Sequence, residues 1–313
     1  LDRRKPGQSK YVTQRKESDK VEILSGVFEG KTTGTPIGLL VRNTDQKSKD
    51  YENIKDKFRP GHADFTYQQK YGIRDFRGGG RASARETVMR VAGGAIAKKV
   101  LEKKGVIVRA GVMQIGDIVA DSHNFSDVSK NDFNFVDKSK VKALENFFKE
   151  LIKDQDSIGA KIIVNISGLQ PGVGSPVFSK LDAELAKSLM SVNAVKAIEI
   201  GTGVDSVTMR GSENRDIISV DGFETNNSGG ILGGISNGDD INIFTSLKPT
   251  SSISQKTTTT NIDNQKVDLE VKGRHDPCVG LRAVPILEAM AALTIIDQML
   301  IDKAQCFDVE RKS

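Results

Sequence analysis

The sequence predicts an α+β fold with mainly antiparallel strands. Short strand-patterned segments come in pairs and alternate with single long helical patterns. The regular strand–helix–strand rhythm of a doubly wound parallel sheet is missing, and no internal repeat or low-complexity tract stands out. A chain of 313 residues, 37% of them hydrophobic, can bury a substantial core, and it reads as one domain over residues 1–313.

Composition narrows the function. A net charge of +5 favours an anionic partner without choosing between a phosphate metabolite and a nucleic acid. Aromatic residues make up 5% of the chain and Trp is absent, so stacking platforms for single strands are scarce and a nucleic-acid partner is disfavoured. No uninterrupted run of about eighteen apolar residues exists, so no membrane partner is expected. The charged start holds no apolar segment for a signal peptide, and its first residue is Leu1, so the natural start is expected upstream. Cys278 and Cys306 do not make a disulfide framework, which points to a reducing cytoplasm. Three histidines and no Cys/His cluster at zinc spacing leave no metal site expected.

Residues 1–20 carry Arg3, Arg4, Lys5, Lys10, Arg15 and Lys16. They read either as a solvated, partly disordered tail or as a phosphate-binding arm folded over a site. Residues 21–42 read as strands, with Val21, Ile23 and Leu24 before Gly26 and with Ile37, Leu39 and Val41 alternating. Gly26 to Gly34 approaches a P-loop, but one residue too few separates Gly26 from Gly30 and no helical pattern follows. Residues 43–60 are a polar connection that ends at Arg59-Pro60-Gly61-His62-Ala63-Asp64, where Pro-Gly sets a turn that holds His62 on a loop. His62 is read as a proton donor near neutral pH, against the alternative of an exposed or structural histidine.

The stretch from Phe58 to Lys99 organises the chain. Three glycines, Gly78 to Gly80, lead into Arg81-Ala82-Ser83-Ala84-Arg85-Glu86. Ser83 and Glu86 have capping-box spacing: the hydroxyl would take the Glu86 amide and the Glu86 carboxylate would reach back. Ala84, Val88, Val91 and Ala95 then recur at helical spacing, with Lys98 and Lys99 in the last turn. A glycine loop feeding a helix start, with Arg77, Arg81 and Arg85 around it, suits an anion. The alternative is a capped surface helix after a flexible loop.

Residues 106–120 read as a strand pair and 121–138 as polar and loop-like, with His123 on the surface. An amphipathic helix is expected over 139–154, with Leu144, Phe147, Phe148, Leu151 and Ile152 inward, then a strand from Gly159 to Ile166. Ser179 and Asp182 would cap a helix that buries Leu181, Leu185 and Leu189. Asn193-Ala194 end that helix before a strand over Val195–Ile200. Gly201-Thr202-Gly203 falls short of a dinucleotide fingerprint, because Ser206 replaces the third glycine and no helix pattern follows.

Gly229, Gly230, Gly233 and Gly234 either permit close approach to a ligand or form tight hairpin turns. A strand over Ile241–Leu247 delivers Lys248-Pro249-Thr250-Ser251-Ser252, small donors beside a cation. Thr257–Thr260 reads as a hairpin tip. Arg274 and Asp276 precede the last helix and serve either an anion and a proton or a mutual salt bridge with a cap. That helix runs to about Ala304, with Pro285 in its first turn and Ile286, Met290, Leu293 and Ile296 apolar.

The stretches RPGHAD, GGGRASARET, GGILGGISNG, LKPTSSI and GRHDPCVGLRAVPILEAM, in this order, resemble the chorismate synthase family over essentially the whole chain. The resemblance implies a β-α-β sandwich, with a helical layer between antiparallel sheets, and a homotetramer. It implies a lyase that eliminates phosphate from 5-enolpyruvylshikimate 3-phosphate to give chorismate, with reduced FMN and no net redox change. Residue by residue, it implies flavin contacts at Arg81, Ala82, Ser83, Asn193, Ala194, Gly233, Lys248, Pro249, Thr250, Ser251, Ser252 and Arg274, with Asn193 and Ala194 supplied to a neighbouring subunit. Arg4 and Lys10 match the family's NADP positions, which lie near substrate. Arg59 and Arg85 would take the substrate phosphate or carboxylates. His62 matches a catalytic histidine, and Asp276 matches the aspartate that assists deprotonation at the flavin.

A substrate with one phosphate and two carboxylates suits such a cage of Arg and Lys. The arm 1–20 and the loop 43–60 are the expected lids. Two departures stand out. The family's Gly-Glu-Ser-His-Gly strand, with its first catalytic histidine, would precede Leu1, and Lys10 stands where the family more often has Arg. No reductase domain is evident, so an external flavin reductase is the expected partner. The competing classes are a basic nucleic-acid-binding protein and a kinase, and the latter lacks a nucleotide loop of correct spacing.

Overall fold

In the computed structural model, residues 1–7, 9–13, 18–43, 48–77, 83–271 and 275–310 are described. In chain order the elements are β1 (Val21–Ile23), β2 (Val27–Phe28), β3 (Lys31–Thr32), β4 (Leu39–Val41), α1 (Asp64–Tyr71), α2 (Thr87–Glu102), β5 (Ile107–Ile115) and β6 (Ile118–Val119). There follow α3 (Val141–Lys153), β7 (Ala160–Ser167), α4 (Leu181–Met190), β8 (Val195–Ile200), α5 (Gly211–Asn214), β9 (Ile218–Ser219), β10 (Gly222–Phe223) and β11 (Ile231–Leu232). The last are β12 (Ile235–Ser236), β13 (Ile241–Leu247), β14 (Thr257–Thr260), β15 (Lys266–Leu269) and α6 (Gly280–Gln305).

The fold is α+β and its strand pairs are antiparallel, as expected from the sequence. The largest sheet has five strands in the order β6-β5-β7-β13-β8. β13 lies between β7 and β8 because Ile241, Ile243, Thr245 and Leu247 alternate inward with period two. One sheet face packs on α6, through Val108, Ala110, Val164 and Ile243 in a core shared with Leu281, Val284 and Leu287. α2 packs along α6 and also touches β5 and the β1–β4 ribbon, so helices lie against strands on more than one side.

α6 is long and apolar enough to cross a membrane by length and composition alone. Its burial accounts for that composition, since Leu281, Val284, Leu287, Ala291 and Ile295 are at most 1% exposed. Gly94 of α2 marks the closest approach, because a Cβ there would run into the Cβ and Cα of Ala289. Pro285 lies inside α6 rather than in its first turn. Without an N–H it leaves the Leu281 carbonyl orphaned, and Asn134 Nδ2 fills that place at 2.8 Å.

Several expectations need correction. Segment 121–138 is irregular but far from a solvated loop: Val128, Phe133, Phe135 and Val136 are buried. Val128 and Val136 cover the second sheet face with Ile163, Met113 and Phe244. A Cβ on Gly111 would strike Val136 and Val128, which is why β5 carries a glycine there. Within the described part of the arm, Arg4, Pro6, Tyr11, Val12 and Thr13 are buried, whereas Asp2, Arg3, Gly7 and Lys10 are exposed. The Tyr11 ring stacks on Phe133 with centroids 4.6 Å apart. Thr257–Thr260 is strand β14, paired with β15, so the tip lies in 261–265. Uniform threonine offers no apolar alternation to read, yet β-branched side chains suit a strand.

Helix ends also differ from expectation. Ser83 accepts from the Arg85 amide at 3.2 Å, over a short turn at Ala84–Glu86, and Glu86 pairs with Arg90 instead of reaching back. The buried side of α2 carries Val88, Val91, Ala92 and Leu101, whereas Ala84 and Ala95 are exposed. α4 has no side-chain cap, because Asp182 pairs with Lys180, but Leu181, Leu185 and Leu189 are buried as expected. On α3 only Leu144 and Phe148 are fully inward, and Ile152 is exposed. The P-loop-like stretch is the β2–β3 hairpin, turning at Glu29 and Gly30 with φ of 47° and 74°.

Candidate active site

The loop that carries His62 is anchored at both ends. Before it, Phe58 donates its amide to Thr260 O at 3.0 Å and accepts from Thr259 Oγ1 at 2.6 Å, so β14 holds its entry. After it, α1 begins at Asp64. Between them the His62 amide closes a turn on Arg59 O at 3.2 Å, with Gly61 at φ 66°.

Asp64 is the hub of this loop. Its carboxylate takes Arg59 Nε at 2.7 Å and Nη2 at 2.9 Å, and lies 3.0 Å from Arg74 Nη1 and 3.0 Å from His62 Nδ1. Burial alone would push the Asp64 carboxyl up, but Arg59 and His62 outweigh it and hold it far below the usual carboxylate range. Arg59 is therefore buried and committed to Asp64 through two of its nitrogens.

The segment after β13 meets this loop. Lys248 Nζ donates to Gly61 O at 2.6 Å, and Ser251 Oγ donates to the same oxygen at 2.8 Å. Thr250 Oγ1 donates to the Asp276 carbonyl at 2.6 Å. The Asp276 carboxylate accepts from the Thr13 amide and from Arg282 Nη1, both at 2.8 Å, so among the described residues its salt-bridge partner is Arg282. Arg282 Nε in turn donates to Arg4 O at 2.9 Å.

From Arg4 the network reaches the start of α2. Arg4 Nη2 bonds Asp19 Oδ2 at 2.8 Å and Nη1 bonds Thr87 Oγ1 at 3.3 Å. Arg85 Nη1 bonds the other Asp19 oxygen at 2.9 Å. Burial would raise the Asp19 carboxyl, but Arg4 and Arg85 together hold it low. Ser83, Arg85, Arg4, Asp276, Thr250, Ser251, Lys248, His62 and Arg59 are thus joined by consecutive contacts.

Asn193 and Ala194 join from the end of α4. Ala194, at φ 71°, accepts the Lys248 amide at 2.9 Å, and Asn193 Oδ1 is buried with no hydrogen-bond partner among the described residues. Pro249 and Ser252 flank the same segment, Ser252 being buried.

The family is decided at this point. The chorismate synthase family model matches residues 1–300. The chain belongs to the chorismate synthase family. It is also similar to a solved structure described as chorismate synthase, at 28% identity and a TM-score of 0.71, covering 90% of this chain and 78% of that one.

Two of the expected site residues stand outside this chain of contacts among the described residues. Gly233 is in the tight β11–β12 hairpin, beside the start of α4, whose chain neighbour Gly234 sits against Lys180. Lys248 follows the far end of β13, and the seven residues of that strand span about 20 Å. Lys10 is exposed, with its ammonium 4.9 Å from the Tyr11 ring centroid. Arg81, Ala82 and Arg274 lie outside the described residues. The sequence reading missed Asp19, Asp64, Arg74 and Arg282, the groups that pair the expected ones. Only Asp64 had a visible signal: an acid two residues after His62 at a helix start.

Proposed function

We propose that this chorismate synthase eliminates phosphate from 5-enolpyruvylshikimate 3-phosphate, in the anti-1,4 sense, with reduced FMN and no net redox change. The observation that carries this reading is the continuous network from Ser83 and Arg85 to His62, which gathers cations, hydroxyls and one histidine around Lys248–Ser252. The residues fit a flavin. Asn193 Oδ1 is a buried acceptor without a partner among the described residues, suited to a ring N–H, and Lys248 with Thr250, Ser251 and Ser252 offers donors for polar ring edges and a phosphate. Ser83 and Pro249 would complete its walls, with Arg81, Ala82, Gly233 and Arg274 as further contacts and Asn193 and Ala194 supplied to a neighbouring subunit.

When bound, reduced FMN supplies electron density to the substrate and takes up the hydrogen lost from carbon. The chain's residues do the rest. Arg85 presents its guanidinium at the start of α2, 21% exposed, for a substrate phosphate or carboxylate. Arg4 and Arg59, buried with Asp19 and Asp64, add positive charge behind that surface and fix its shape. His62 gives a proton to the departing phosphate. Asp276, held by Thr13 and Arg282, accepts a proton at the flavin side. Chain 1–313 acts as one catalytic unit within a cytoplasmic homotetramer, and an external reductase maintains the flavin. Lys10 and Arg4 would meet NADP or substrate.

Two substitutions separate these roles. His62→Ala keeps flavin binding nearly intact and lowers turnover roughly 10²–10⁴-fold, the scale of general acid catalysis. Lys248→Ala weakens flavin binding first, which flavin titration followed by fluorescence reads directly. Unchanged turnover in His62→Ala would remove the proton-donor role.

A further inference from the structure

The geometry points to Asp64 as the positioning residue that takes the Nδ1–H of His62, so that the Nε2–H of the imidazolium faces the reaction as the proton donor. This rests on the reading of His62 as general acid given above. Two groups compete for Nδ1. Asp64 Oδ1 lies 3.0 Å away and Arg59 Nη2 lies 3.1 Å away. If Nδ1 carries the proton, it donates to the carboxylate. If it does not, it accepts from the guanidinium, and the neutral ring holds its proton on Nε2 instead.

Three observations favour the first arrangement. A full negative charge is the stronger partner for an N–H, and it stabilises the imidazolium that a general acid must present. Arg59 already makes two hydrogen bonds to Asp64, from Nε at 2.7 Å and Nη2 at 2.9 Å, so its contact with Nδ1 at 3.1 Å is a further bond from a nitrogen the carboxylate already holds. Asp64 is also the first residue of α1, is 3% exposed, and forms an ion pair with Arg74 Nη1 at 3.0 Å, so Arg59 and Arg74 hold the carboxylate beside the ring. The His62 side chain is 20% exposed, so part of the ring stays open to solvent. The logic is that of an acid–histidine pair set behind the reacting atom, in which the acid fixes tautomer and orientation without touching substrate.

The test has two arms on the full chain. Protein labelled with ¹⁵N at its three histidines (His62, His123 and His275) gives three ring patterns in a long-range proton–nitrogen spectrum, and His62→Gln identifies one of them by its loss. The neutral His62 ring is expected to carry its proton on Nδ1. A ring protonated on Nε2, with Nδ1 accepting, would overturn the proposal, and this arm needs no substitution of Asp64.

The second arm is kinetic. Asp64→Asn is expected to lower kcat roughly 10- to 100-fold, part of what general acid catalysis supplies, with KM changed much less. In a His62→Gln background the same substitution should cost nothing further, because its effect runs through the ring. An equal loss in both backgrounds would overturn the proposal and leave Asp64 as a support for Arg59 alone. Wild-type turnover in His62→Gln itself would sink the general-acid reading and this role with it. The tautomer spectrum separates that failure from a wrong placement of the Nδ1 proton.

Discussion

Asp19 and Asp64 show how single residues set this site. Each is a buried carboxylate shared between two arginines, Arg4 and Arg85 for one and Arg59 and Arg74 for the other. Both carboxyls are held below the usual range in the folded chain, so the unfolded chain binds protons that the folded chain does not. Their stabilisation is therefore complete above about pH 4, the unfolded carboxylate value, and is lost as pH falls from there through the folded values. Urea unfolding at pH 6 and pH 3 should show a marked drop at the lower pH, and Asp64→Asn should flatten that drop. A pH-independent midpoint, or one that rises on acidification, would contradict it. The Asp19 pairings were not legible in the sequence, because Asp19 and Arg85 are 66 residues apart and no local pattern links them. The arginines themselves were legible, but as ligands for substrate. The structure shows two of them, Arg4 and Arg59, buried against carboxylates.

Elements with a clear period were legible. The leucines of α4 gave the right element and the right inward face, and Ile241–Leu247 was rightly read as a strand. Elements were misread where period was absent or local chemistry had several solutions. The threonines of β14 have no alternation, and their pairing with β15 is what holds the loop of His62 at Phe58. Ser83 had a capping-box partner in sequence, but Glu86 was taken by Arg90 one turn on. Pro285 is the sharpest case, since a proline inside a helix demands a remote donor that sequence does not show. Asn134, at φ 50°, supplies it from a buried turn. Asn134→Ala should cost on the order of 1–3 kcal/mol, because it orphans the Leu281 carbonyl and strains a left-handed backbone position. Denaturant unfolding checks this, and a change within about 0.5 kcal/mol would show that the carbonyl needs no donor.

At the scale of the whole molecule, the α+β class followed from the succession of short strand pairs and single helices, and the family followed from motifs spread along the chain. What the sequence did not show is how those motifs meet. The arm from Leu1 to Thr13, read as a tail or a lid, runs through the core at Tyr11 and reaches Asp276 at Thr13. The glycines around Gly233 turn away at the opposite end of the β13 strand. The remaining motifs converge on one network, and the central claim is that this network makes chorismate only with reduced flavin. The most direct measurement is anaerobic: the protein, 5-enolpyruvylshikimate 3-phosphate and FMN, with and without dithionite, with chorismate followed by its ultraviolet absorbance. Chorismate in the reduced sample and none in the oxidised sample is the predicted result. Equal chorismate in both samples, or none in the reduced sample from protein with a cooperative unfolding transition, would contradict it.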